Sequence, residues 1–182
     1  MGTVSTLPRS RALTRDDLDA MPDDGHRYEL VDGALIVTPA PSTRHQCAVL
    51  RMAVLLDRVC PARHIVMVSP FDVALAADTV LQPDVLVARR ADLTERDLPT
   101  APLLAVEVLS PSTRMIDLNL KLARYEAAGT PSYWVVDPDV PALTAWQLTA
   151  GRYVEVAHAS AGEPFDASSP FPVAFTPAQL VT

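Results

Sequence analysis

Leu103-Leu104-Ala105-Val106-Glu107-Val108-Leu109-Ser110 is the stretch that decides the fold. It is too short and too rich in valine and leucine for a surface helix, and it reads as a buried strand. Glu107 is the one charged residue from Leu103 to Leu109, and its neighbours of the same parity, Ala105 and Leu109, are apolar. Alternation therefore turns Glu107 toward a buried face, where an ionised carboxylate costs several kcal/mol (~3–5) unless it is paired, hydrogen-bonded or metal-bound. Upstream, Leu81-Gln82-Pro83-Asp84-Val85-Leu86-Val87 repeats the pattern, with Asp84 at the entrance of an apolar strand. Two carboxylates set into strands that otherwise build a core point to a site rather than to packing.

Working outward, residues 116–129 have the spacing of an amphipathic helix stopped by Gly129, followed by a strand over 133–136. Residues 143–148 and 153–157 read as a hairpin around Ala150-Gly151, and the tail from Ala159, with Pro164, Pro170, Pro172 and Pro177, reads as loop with one short segment. Upstream, Thr14 caps a short helix, residues 28–37 form a hairpin on Asp32-Gly33, and 44–59 form a helix ended by Pro61. Strands follow over 64–69, 71–76 and 85–88. The order gives an α/β (α+β) fold with a mixed central sheet flanked by helices. Residues 1–13 are expected as a flexible lead, and 14–182 as a single domain ending in the hairpin and the proline-rich tail.

The chain has 182 residues, a formal charge of −7 and 49% hydrophobic residues, which suits one globular domain. Its acidity, with a pI near 4.9, argues against a protein that coats nucleic acid by charge alone. Two cysteines without a CxxC exclude a disulfide framework and a cysteine zinc knuckle. The polar start and the lack of a long apolar run predict no secretory signal, no membrane span and a cytoplasmic location. Neither GxGxxG, GxxxxGK[ST] nor GxSxG occurs, so dinucleotide, P-loop and hydrolase-elbow readings lack their motifs.

Fourteen of the fifteen basic residues are arginine; the exception is Lys121. It shares a helix face with Asp117 and Tyr125, one turn to either side. An exposed Asp-Lys pair is the plain reading, but arginine could fill that role, whereas a compact ammonium suits an anion or a water. Glu29, at the start of its strand, is weighed between a third acid of the site and an exposed strand end. His45 is read as a surface or capping histidine, with a site role as the alternative. Gln82 is placed beside a turn or against substrate. Arg114 and the Arg44/Arg51/Arg58 stripe are read as solvated, and Trp134 and Trp146 as packing.

Pro83-Asp84, Glu107-Val108-Leu109-Ser110-Pro111-Ser112, Asp117, Lys121, Tyr125, Gly129 and Tyr133-Trp134-Val135-Val136-Asp137 together resemble the Uma-two family of the PD-(D/E)XK endonuclease superfamily. Tyr28-Glu29-Leu30-Val31-Asp32-Gly33 and Pro41-Ser42 with His45 resemble it too, so the likeness runs over residues 14 to 150. It implies a restriction-endonuclease-like fold and hydrolysis of nucleic-acid phosphodiesters, DNA above all. Asp84, Glu107 and the Val108 carbonyl would hold Mg2+ (or Mn2+), and Lys121 would orient or deprotonate the attacking water. Glu29, His45, Gln82, Asp117 and Tyr125 are accessory candidates. A simple ExK motif would place lysine at 109, where this chain has Leu109, so Lys121 must reach in from its helix. The alternatives are a non-catalytic binding protein on the same fold, which the acidity favours, and a metal-independent carboxylate-pair glycosidase. Exposed edge strands predict a homodimer.

Overall fold

A computed structural model describes residues 11–181. Residues 1–10 of the lead expected over 1–13 lie outside the described residues. Of its last three residues, Leu13 is buried, and its N–H donates to Gly33 O at 2.9 Å.

The described chain begins with helix α1 (Arg15–Asp19), then β1 (Arg27–Val31) and β2 (Ala34–Thr38). Their hairpin turns on Asp32 and Gly33, both at positive φ (51° and 74°), the geometry a two-residue turn needs to match strand twist. A Cβ at Gly33 would strike Ala12, so the glycine also seats the N-terminal segment. Helix α2 (Thr43–Val59) follows, capped by Ser42, whose side chain accepts from the His45 N–H. Then come β3 (His64–Val68), β4 (Asp72–Ala76), β5 (Thr79–Leu81), β6 (Val85–Arg89), β7 (Asp97–Leu98) and β8 (Leu104–Val108). A π-helical segment, Ile116–Lys121, leads into α3 (Leu122–Ala127), and β9 (Ser132–Asp137), β10 (Ala142–Thr149) and β11 (Arg152–Ser160) complete the main sheet.

That sheet has six strands in the order β11-β10-β9-β8-β6-β3. It is mixed: β8 and β9 run parallel, while β6 is antiparallel to β8. The second sheet, β2-β1-β5-β4-β7, lies across one face of the first. On that side Ala105, Leu109, Tyr133 and Val135 of the main sheet and its strand ends pack with Val31, Leu81 and Tyr125. On the opposite side Leu104, Val106, Val108 and Trp134 pack against Ala48, Met52 and Leu56 of α2. Among the described residues no helix is long and apolar enough to cross a membrane.

The tail corrects the sequence reading. Instead of loop with one short segment, it forms two paired strands, β12 (Phe165–Ala167) and β13 (Val173–Phe175), and a 3-10 turn, Pro177–Leu180. Phe165, Phe171, Phe175 and Leu180 are buried in the α2-side core. The prolines punctuate this segment without preventing it from docking. The helix expected over 116–129 is likewise π-helical through Lys121 before it becomes α-helical, and β5 and β7 are short strands that no periodicity announced.

Candidate active site

Asp84 and Glu107 meet because β6 and β8 are antiparallel neighbours. Val85 pairs with Val106, so one step further the register sets Asp84 beside Glu107. Both are buried, at 2% and 1% exposure. The Val108 N–H donates to Asp84 Oδ2 at 2.8 Å, tying the carboxylate to the adjacent strand. From the helical side, Lys121 Nζ lies 3.2 Å from Glu107 Oε1 and 2.9 Å from Glu29 Oε1, with Asp117 Oδ1 at 3.7 Å. The π-helical segment that carries Asp117 and Lys121 ends at the lysine, as such turns often do at functional sites. The Tyr133 hydroxyl fixes that segment by donating to Asp117 O at 2.8 Å.

The arrangement is short of positive charge. Glu29, Asp84, Glu107 and Asp117 face two cations, Lys121 and Arg27. Burial works against the Lys121 charge, but Glu107, Glu29 and Asp117 outweigh it and hold the ammonium firmly protonated. Glu107 shares that ammonium with the other acids, so burial and their repulsion push its carboxyl well above the ordinary value despite Lys121. Burial likewise raises Asp117. Asp84 goes the other way: burial opposes ionisation, but His45 and Arg27 together draw its carboxyl below the ordinary range.

His45 is not a surface residue. It is 7% exposed, and its Nε2 lies 3.2 Å from Asp84 Oδ2. It sits on the buried stripe of α2 with Val49, Met52 and Leu56, a spacing that could have revealed it. Glu29 is buried rather than an exposed strand end, and accepts from the Gln82 N–H at 2.7 Å. The Gln82 side chain donates to Asp72 Oδ1 at 2.8 Å, and Arg15 holds the other oxygen of Asp72 at 3.2 Å. Tyr125 is buried beside Tyr133, with its hydroxyl unpartnered, and adds no hydrogen bond to the acids. Arg114 pairs with Asp137 at 2.7 Å.

Arg27 was not singled out in the sequence. Its Nη1 donates to Asp84 Oδ1 at 3.0 Å, and its Nη2 lies 3.9 Å from Glu29 Oε2. The signal was parity: Arg27, Glu29 and Val31 share one face of β1, and Val31 is core.

A cleft of about 700 Å³ opens above this cluster. Arg27, His45, Asp72, Gln82 and Asp84 line it, together with six prolines, Pro22, Pro39, Pro41, Pro70, Pro111 and Pro138. Glu107, Lys121 and Glu29 are buried next to Asp84 and Arg27 rather than on the cleft surface.

The donor chemistry fits a hard divalent cation: carboxylate oxygens from Asp84 and Glu107, the neighbouring Val108 carbonyl, and buried negative charge in excess. Among the described residues no group of three or more His, Cys, Asp or Glu side chains is arranged to hold a metal, so protein carboxylates alone would not complete a coordination shell.

Residues 15–180 match the model of a family described as "Uma2: Putative restriction endonuclease". The chain belongs to this family. Its Uma2 fold also matches the crystal structure of a protein described as a putative nuclease belonging to DUF820 from Anabaena variabilis ATCC 29413. That match has a TM-score of 0.68 and 19% identity, covering 93% of this chain and 97% of the other. No curated protein matches the chain.

Proposed function

We propose that this Uma2 protein is a divalent-metal-dependent nuclease that hydrolyses phosphodiester bonds, with DNA as its substrate. The observation that carries the reading is Lys121, which reaches Glu107 at 3.2 Å from a helix fourteen residues further along the chain. This supports reading Lys121 as the lysine that position 109 lacks. Asp84, Glu107 and the Val108 carbonyl would hold Mg2+ or Mn2+. Such an ion, once bound, would polarise the phosphodiester and lower the pKa of a coordinated water.

Lys121, held protonated by its three acids, orients the attacking water and stabilises charge developing on the phosphate. Glu29 and Asp117 position that ammonium. Val108 N–H and His45 hold Asp84 in orientation. Lys121→Arg keeps the charge but not the compact geometry, and is expected to lose cleavage. The exposed edge strand β11, with Val154 and Val156 about half exposed, supports the homodimer reading, which sedimentation would test.

Calorimetry with Mg2+ and Mn2+, followed by cleavage assays, tests the proposal on wild type and on Asp84→Asn/Glu107→Gln. Metal binding and cleavage by wild type alone are expected. A folded wild type that neither binds metal nor cuts would overturn the reading in favour of a binding protein, which the aspartates lining the cleft would then suit.

A further inference from the structure

We propose that Arg27 is an exchangeable counter-cation of Asp84: it holds the carboxylate in the metal-free protein, yields it to a divalent cation, and then anchors the substrate phosphate. The inference rests on the nuclease reading above and adds to it a residue and a sequence of contacts.

The first argument is the allocation of Asp84's oxygens. Oδ2 already takes the Val108 N–H at 2.8 Å and His45 Nε2 at 3.2 Å. Oδ1 takes Arg27 Nη1 at 3.0 Å. A cation seeking Asp84 therefore meets Arg27 at the oxygen with acceptor capacity to spare, and two positive charges on one oxygen repel strongly where little water screens them.

The second argument is the state of the guanidinium itself. A guanidinium has five N–H donors in a planar fork. Here Nη1 bonds Asp84, Nη2 stands 3.9 Å from Glu29 Oε2, beyond hydrogen-bond reach, and Nε is buried without a partner. The fork is thus under-used where it lies, and a phosphate offers the paired oxygens that it matches.

The third argument is the cleft's charge. Among the described residues that line it, Arg27 is the one lysine or arginine, while Asp19, Asp23, Asp72 and Asp139 are acidic. A phosphodiester entering this cleft has one guanidinium to meet, and that group is held by Asp84 until another cation replaces it. Arg27 is partly exposed, with 19% of its side chain accessible, so it can turn toward the cleft, while Lys121 is held in place by Glu29, Glu107 and Asp117.

The test uses the full chain and the metal ions alone. Arg27→Gln is expected to bind Mn2+ about tenfold more tightly than wild type by calorimetry, since the competing charge is gone. At saturating Mn2+, Arg27→Gln and Arg27→Lys are both expected to raise KM for DNA by about tenfold, with a smaller change in kcat. Arg27→Lys should keep the metal affinity of wild type. Equal or weaker Mn2+ binding by Arg27→Gln overturns the exchange, and an unchanged KM overturns the anchoring.

Should Arg27→Gln fail to fold, the wild type answers directly. Labelling with phenylglyoxal, read peptide by peptide, should modify Arg27 faster once Mn2+ is added; an unchanged or slower rate overturns the proposal. If wild type binds no metal, the nuclease reading falls with it, whereas metal binding without release of Arg27 removes this inference alone.

Discussion

On one side of β8, Val106 and Val108 sit in a core closed by α2 and the tail; on the other, Glu107 lies between Ala105 and Leu109 and against Lys121. Burial is the same on both sides, with Val106 at 0% and Glu107 at 1%. The sources of stability differ. The apolar side gains from area removed from water, a gain that is non-directional and additive over many contacts. The charged side stands only while each acid keeps a cation within reach, so its members depend on one another. A sheet can thus carry a site without weakening its fold, provided that the opposite face supplies the net stability.

The comparison can be broken most severely from the apolar side. Deleting residues 161–182 removes Phe165, Phe171, Phe175 and Leu180 from the core. At roughly 1.5–3 kcal/mol each, their loss rivals the whole net stability of an ordinary domain, so no cooperative urea transition is expected. Lys121→Met comes next. It strands Glu107, Glu29 and Asp117, and should cost about 3–5 kcal/mol in urea unfolding, with cleavage lost.

Val106→Ala and Glu107→Gln, neighbours on one strand, sharpen the contrast. The valine change should cost about 2 kcal/mol at every pH. The glutamate change should cost nothing or stabilise the protein, because one of the competing acids is neutralised; marked unfolding would assign Glu107 a structural role instead. Its pH signature is also distinct. The folded carboxyl titrates above its ordinary value of 4.5, so the folded state binds the extra proton. Stability from this group is complete below that value and is lost as pH rises through the raised one. Denaturation of metal-free wild type from acid toward neutral pH should show this downward contribution, and Glu107→Gln should lack it.

Much of this was legible in the sequence. A lone acid in an apolar strand has few physical explanations, and a lone lysine among arginines invites one, so Glu107, Asp84 and Lys121 stand out from the sequence alone. The Asp32-Gly33 turn and the α2 stripe likewise follow from local rules. What stayed hidden depends on partners distant in the chain. His45 looked like a first-turn surface residue because its partner, Asp84, is 39 residues away. Arg27 was overlooked because a strand-end arginine is ordinarily solvated, and here it is held by an acid 57 residues on. The tail was read through its prolines, although Phe171, Val173 and Phe175 alternate as a half-buried strand does. Nothing in the local sequence marks the π-helical segment Ile116–Lys121.

The prolines lining the cleft have a consequence for the energetics of recognition. A prolyl residue has no backbone N–H and a fixed φ, so Pro22, Pro39, Pro41, Pro70, Pro111 and Pro138 offer a visiting strand no main-chain donors and little freedom to lose. At these six positions the entropic cost of ordering on association is reduced. Donors for a ligand therefore come from the non-prolyl lining, Ser42, Ser69, Ser110, Ser112 and Thr113 among them, and from Arg27.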